Sequence, residues 1–142
     1  MKFQVIDVDS GNTRSLERWM ERSGVLTELV TQPEDLKSDT IIIPGVGSAG
    51  HVMQRIRALG FDKKITEVHK SGGRLIGICL GFQLMLTHSE EDGGVDCLNL
   101  INGEVVEISN DLGHTDWERL TLEKCDVLRD FQKLNLTRKN KL

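Results

Sequence analysis

From Phe3 to about residue 88 the chain alternates two hydrophobic periods, and that alternation restricts its fold more than any other feature. Phe3 to Val8 is mostly apolar and β-branched, the pattern of a buried strand. Asp9-Ser10-Gly11-Asn12 turns the chain, with Asn12 or Thr13 placed to cap the next segment. Leu16, Trp19 and Met20 then recur at helical spacing until Ser23-Gly24. Val25 to Val30 reads as a second, weaker strand and Gln32-Pro33-Glu34-Asp35 as a polar connection. Ile41-Ile42-Ile43 is a third strand, broken by Pro44-Gly45. Val52, Ile56 and Leu59 share a helix face ended by Gly60, and Phe61, Ile65 and Val68 mark a second helix stopped by Gly72-Gly73. Arg74 to Ile78 is a strand, and Phe82 to Leu86 a helix. Strands separated by helices need crossover connections. The expected fold is therefore α/β, a mostly parallel central sheet with helices on both faces.

After residue 88 the pattern weakens. Ser89 to Gly94 reads as a polar loop, Gly103 to Ile108 and Glu118 to Leu122 as strands, and Asp126 to Leu134 as a short helix. With 142 residues and neither repeat nor linker, residues 1–142 are expected to form one domain. Composition excludes several function classes. Aromatics are 4% with no Tyr, too few for base-stacking platforms, and the net charge of −4 opposes a phosphate backbone, so no nucleic-acid partner is expected. No run of 18 apolar residues occurs and the first residues lack a signal-peptide core, so no membrane association is expected. Three cysteines, Cys79, Cys97 and Cys125, suit a reducing, cytoplasmic setting with free thiols. No metal site and no cofactor are expected.

The chemistry concentrates in Gly77-Ile78-Cys79-Leu80-Gly81-Phe82-Gln83. A strand ends, a cysteine sits between two glycines, and a helix begins, which is the pattern of a nucleophile elbow with Cys in place of Ser. The turn is tight, so its neighbours must be small, and Gly77 and Gly81 let strand and helix approach. A helix N-terminus behind Cys79 favours thiolate, and backbone N–H groups there can face an oxyanion. A lone cysteine in an apolar run is more often an inert core residue; the flanking glycines and the strand-to-helix switch decide for the elbow. Cys97 and Cys125 have no such context and read as buried or partly buried thiols.

This segment resembles the nucleophile motif of class I (triad) glutamine amidotransferases, which have a flavodoxin-like fold. Within that class the chain is similar to the glutaminase subunits of imidazole glycerol phosphate synthase. Asp9-Ser10-Gly11-Asn12-Thr13-Arg14-Ser15 resembles their first strand–helix turn, and Ile43-Pro44-Gly45-Val46-Gly47-Ser48 their oxyanion strand. Leu98-Asn99-Leu100-Ile101-Asn102-Gly103-Glu104-Val105-Val106 resembles a later strand, and Gly113-His114-Thr115-Asp116-Trp117 stands where the family has Pro-His-Met-Gly-Trp. Pro-Gly after a strand commonly just turns the chain; here it gains weight from the elbow that accompanies it. The resemblance implies that Cys79 attacks L-glutamine to form a thioester. It implies an oxyanion hole from Leu80 with Val46 or Gly47, and glutamine held by Gly47 and Gln83. Asn12, His114 and Trp117 would face a (β/α)8 synthase subunit that receives the ammonia for histidine biosynthesis.

The departures are as specific. A thiol nucleophile needs a base and an orienting acid, which this class takes from a late His-x-Glu segment. No histidine follows His114, so that segment and its strands have no counterpart within 142 residues. The expectation is an incomplete amidotransferase domain with its last strands missing and catalysis impaired. His51 and His69 read as surface residues, and His88 ends the helix after Cys79, facing away from it. Thr115-Asp116 in place of Met-Gly adds a side chain and a charge at the partner surface. The competing readings are an amidotransferase for a surface-sugar pathway, a non-catalytic binding or regulatory domain, and a Cys-elbow hydrolase or chaperone-like protein. Gln83 and Pro44-Gly45-Val46-Gly47 favour an amidotransferase over the last.

Overall fold

A computed structural model describes residues 3–9 and 12–107. The strand expected at Glu118 to Leu122, the helix expected at Asp126 to Leu134, and Cys125, His114 and Trp117 lie outside the described residues. The order is β1 (Phe3–Ile6), α1 (Thr13–Arg22), β2 (Thr27–Val30), a 3-10 turn at Pro33–Asp35, β3 (Thr40–Gly45), α2 (Ala49–Leu59), α3 (Phe61–Lys70), β4 (Arg74–Cys79) and α4 (Leu80–Gln83). Next come β5 (His88–Ser89), a 3-10 turn at Glu91–Gly93, β6 (Val95–Asp96) and β7 (Glu104–Val105).

The main sheet has the order β2-β1-β3-β4 and every pair in it is parallel, as the alternation predicts. Val5, Ile42 and Ile76 are successive cross-strand partners and so share one face. There Val5 and Ile42 pack with Met20 and Leu16 of α1. Ile6, Ile41 and Ile43 point the other way, onto Val52, Met53 and Ile56 of α2 and Phe61 and Ile65 of α3. Helices thus cover both faces. Each fully buried side chain among them, such as Val5, Ile41, Ile43 or Phe61, contributes about 1.5–3 kcal/mol of transfer free energy. Asn12 caps α1, its side chain accepting from the Ser15 N–H at 3.3 Å. Gly60 ends α2 in the left-handed region at φ 84°.

Four expectations need correction. Pro44-Gly45 does not break the third strand, which runs to Gly45. The ladder to β1 stops at Ile42, so Pro44 stands where β3 has β4 alone in register and its missing N–H interrupts no two-sided ladder. The helix expected over Phe82 to Leu86 is a single turn, Leu80–Gln83. After it the chain tightens, with Met85 and Leu86 N–H donating three residues back, to Phe82 at 3.0 Å and Gln83 at 3.1 Å, and the orphan carbonyls of Leu84, Met85 and Leu86 accept from Leu98, Leu100 and Asn99, each at 2.9 Å. Ser89 does not begin a loop. It lies buried in β5, within a small second sheet of order β6-β5-β7. Of the strand expected at Gly103 to Ile108, the described residues, 103–107, hold only the two of β7, parallel to β5. Among the described residues β4 has β3 as its sheet neighbour and leaves Ile76 and Ile78 about two-fifths exposed.

Candidate active site

The site grows out of two neighbouring strands. β3 and β4 run in register, with Ile43 opposite Gly77, Pro44 opposite Ile78, and Gly45 opposite Cys79. Adjacent strands lie about 4.8 Å apart. The segment Gly45-Val46-Gly47 therefore leaves the sheet beside the cysteine, as the two motifs require.

Cys79 is the hinge between β4 and α4, with φ 55° and ψ −122°. A positive φ on a residue with a Cβ costs roughly 1–2 kcal/mol, and such strain persists only where surrounding contacts hold it. Three glycines provide those contacts. A Cβ on Gly81 would overlap the Ile43 carbonyl and stand 2.7 Å from its carbon. One on Gly45 would stand 2.7 Å from the Gly81 nitrogen, and one on Gly77 would collide with the Phe82 backbone and come within 2.8 Å of Met85 Sδ. Strand ends and first helical turn are locked backbone to backbone, and the Cys79 thiol is exposed at the rim. Leu80 and Gly81 open α4, so their N–H groups precede any intrahelical acceptor. The helix behind Cys79 is shorter than the sequence pattern predicts. The macrodipole sums aligned peptide units, and α4 has four residues. The exposed elbow remains; a long helix behind it does not.

Val46 is half exposed and Gly47 adopts φ 98° with open space around it. Gln83 closes α4 and lines a cavity of about 390 Å³ with Glu90, Glu91, Val105, Val106 and Glu107. In sequence Glu90 and Glu91 fall within a stretch that reads as a polar loop, and Glu107 within an expected strand. Glu91 and Asp92 also reach the start of α2: Glu91 Oε2 accepts from the Ala49 N–H and Asp92 Oδ2 from the Gly50 N–H, both at 2.8 Å. Glu90 Oε2 accepts from the Glu107 N–H at 3.0 Å.

The histidines do not gather at Cys79. His51 and His69 are exposed on α2 and α3, as expected. His88 is not at a helix end but in β5, where its Nδ1 lies 3.2 Å from Asp96 Oδ1 across the β5–β6 pair. Cys97 is buried, with its thiol 3.6 Å from the Val95 carbonyl. Burial pushes that thiol's pKa up, against the lowering effect of Arg57 and with a further rise from Asp96. The two described thiols are thus unlike, one exposed on an elbow and one closed in the core. Among the described residues no group of three or more His, Cys, Asp or Glu is placed to hold a metal ion. No described helix is long and apolar enough to cross a membrane. Asn12 caps α1 and is exposed.

Residues 11–110 match the family described as the CobB/CobQ-like glutamine amidotransferase domain. The chain is 42% identical over 106 residues to imidazole glycerol phosphate synthase subunit HisH of Bacteroides thetaiotaomicron, covering 74% of this chain and 52% of that protein. It is 36% identical over 137 residues to subunit HisH 1 of Campylobacter jejuni, covering 92% of this chain and 67% of that one. The chain therefore spans about half to two-thirds of the length of these relatives. A crystal structure of a glutamine amidotransferase superposes with a TM-score of 0.64 at 18% identity, over 76% of this chain and 59% of the other.

Proposed function

Because the chain belongs to the CobB/CobQ-like glutamine amidotransferase family, we propose that it is the glutamine-hydrolysing part of an imidazole glycerol phosphate synthase. The observation that carries this reading is the pairing of Gly45 with Cys79. It sets an exposed cysteine on a strained elbow beside a glycine-bounded loop that can present N–H groups.

In this reading Cys79 Sγ bonds to the side-chain amide carbon of L-glutamine, and the carbonyl π pair moves onto oxygen. The Leu80 N–H, with one from Val46 or Gly47, donates to that oxyanion. Preorganised donors of this kind are usually the largest single contribution in acyl transfer. Collapse breaks the C–N bond, and the amide nitrogen leaves as ammonia with the proton given up by the thiol. Water then cleaves the thioester, releasing glutamate and restoring the thiol. Gly47 and Gln83 hold the substrate, and Glu90, Glu91 and Glu107 beside Gln83 suit its α-ammonium group. The proton needs a base. A late His-x-Glu segment plays that part in the class, and these 142 residues hold no histidine after His114. A polypeptide of these residues alone is thus expected to hydrolyse glutamine slowly. Ammonia would pass to a (β/α)8 synthase subunit in the cytoplasm, met by Asn12, His114 and Trp117.

The test is to treat one preparation with a glutamine-shaped chloroketone and to assay glutamine turnover, with Cys79→Ala as control. A general base contributes about 10²–10⁴-fold, so selective labelling of Cys79 with turnover at least about 10²-fold below complete relatives is the expected result. Turnover at the level of complete relatives, lost in Cys79→Ala, would place a base within these 142 residues. Absence of selective labelling would favour a non-catalytic binding domain.

A further inference from the structure

Glu91 and Asp92 do more than line a loop. Helix α2 begins at Ala49, two residues after Gly47. Ser48 occupies its N-cap, a position where Ser commonly accepts a backbone N–H, yet it makes no side-chain cap bond. The first two N–H groups are taken instead by carboxylates 42 residues further on: Glu91 accepts from Ala49 and Asp92 from Gly50. Carboxylates at the start of an 11-residue helix also meet its positive end. Two backbone features are built around this contact. Gly50 leaves room for it, since a Cβ there would lie 2.8 Å from Asp92 Oδ2 and 3.3 Å from Asp92 Cβ. Asp92 itself holds φ 55°, a conformation that costs a residue with a Cβ roughly 1–2 kcal/mol.

We propose that Glu91 and Asp92 are positioning residues for the oxyanion loop, clamping the start of α2 so that Val46, Gly47 and Ser48 span two fixed points. This inference rests on the amidotransferase reading of Cys79 and Gly47. One fixed point is Gly45, held in the ladder opposite Cys79. The other is Ala49, held by Glu91. Between them three residues remain, and fixing both ends sets the direction of their N–H groups. Gly47, at φ 98° in open space, is the joint that absorbs the remaining turn. Glu91 also lines the Gln83 cavity, whereas Asp92 does not. Asp92 is therefore the position at which clamp and substrate pocket can be separated.

The experiment compares the full chain with Asp92→Ala, Asp92→Asn and Gly50→Ala, each shown to be folded by near-UV circular dichroism. Two rate constants are measured for Cys79. The first is modification by the glutamine-shaped chloroketone, whose carbonyl oxygen becomes an oxyanion. The second is alkylation by iodoacetamide, which forms none. A lost cap and a misdirected oxyanion donor should together slow the chloroketone about tenfold in Asp92→Ala and Gly50→Ala, with iodoacetamide within about twofold of the parent. Asp92→Asn, which keeps an acceptor oxygen, should restore most of the rate. Unchanged chloroketone rates in both impaired variants would overturn the positioning role and leave a plain helix cap. Equal slowing of both reagents would also overturn it, since access to the thiol would then be what changed. Parent Cys79 with no preference for the chloroketone would instead mark failure of the amidotransferase reading, and the inference would fall with it.

Discussion

Replacing Gly81 with alanine tests the lock beneath the nucleophile. The new methyl group would overlap the Ile43 carbonyl and stand 2.7 Å from its carbon and 3.1 Å from the Pro44 carbon. Ordinary contact begins at 3.4 Å, so even the carbon contact is short by 3.4 − 2.7, or about 0.7 Å. All three obstacles are backbone atoms of β3, so no side chain can swing aside. Two effects oppose each other. Alanine in place of glycine inside a helix gains about 1 kcal/mol of propensity. Overpacking costs about 1–3 kcal/mol, and the upper end applies because only backbone can yield. The net expectation is a loss of about 2 kcal/mol, a shift of the urea midpoint by about 1 M at a typical slope for a small domain. The element that gives way is α4, four residues long and hinged at Cys79. A nucleophile moved by the better part of an ångström can lose about 10²-fold in a positioned reaction, so labelling of Cys79 by the glutamine-shaped chloroketone should fall by that order. A Gly81→Ala protein with the parent's urea midpoint and labelling rate would refute the claim that backbone contact at Gly81 holds the elbow.

Other expectations can be checked on the same material. Burial raises the Cys97 pKa, so the folded state binds that proton more tightly than the unfolded chain; the stability this adds is complete below about pH 8.5, the ordinary thiol value, and is lost as pH rises through the raised value. Urea midpoints from pH 7 to 10 should decline less steeply in Cys97→Val, and identical slopes would contradict the linkage. Ile76 and Ile78 project from β4, so Ile76→Ser with Ile78→Ser should reduce self-association with little change in unfolding midpoint. A parent chain that sediments as a monomer at high concentration would remove the premise.

What the sequence revealed and what it hid divide along the range of the interactions concerned. The elbow was legible because Gly77, Cys79 and Gly81 are neighbours in sequence and the β-branched run before them announces a strand. The length of α4 was not: Met85 and Leu86 donate three residues back rather than four, and the orphan carbonyls of Leu84, Met85 and Leu86 are met by Leu98, Leu100 and Asn99 from further along the chain. A local pattern at Phe82 to Leu86 carries no trace of those distant partners. Pro44 looked like a breaker because proline removes a donor; the effect depends on whether a second ladder is present, and opposite Pro44 only β4 continues. β5, β6 and β7 have two residues each, too few to show any period. Glu90 and Glu91 read as part of a polar loop and Glu107 as part of a strand until folding set them beside Gln83. His88 was assigned to a helix for the same reason that α4 was drawn too long.

The pairing of Gly45 with Cys79 also has a mechanical side. Twisting or breathing of the sheet moves two hydrogen-bonded neighbours together, so the separation between loop base and nucleophile is shielded from the commonest collective motions of the molecule. Relative motion between them must enter through the short free span after Gly45, and within it the joint with no neighbours is Gly47. Heat, crowding or a bound partner would thus alter the alignment of hole and thiol through one residue's torsions, long before the sheet that carries both has loosened.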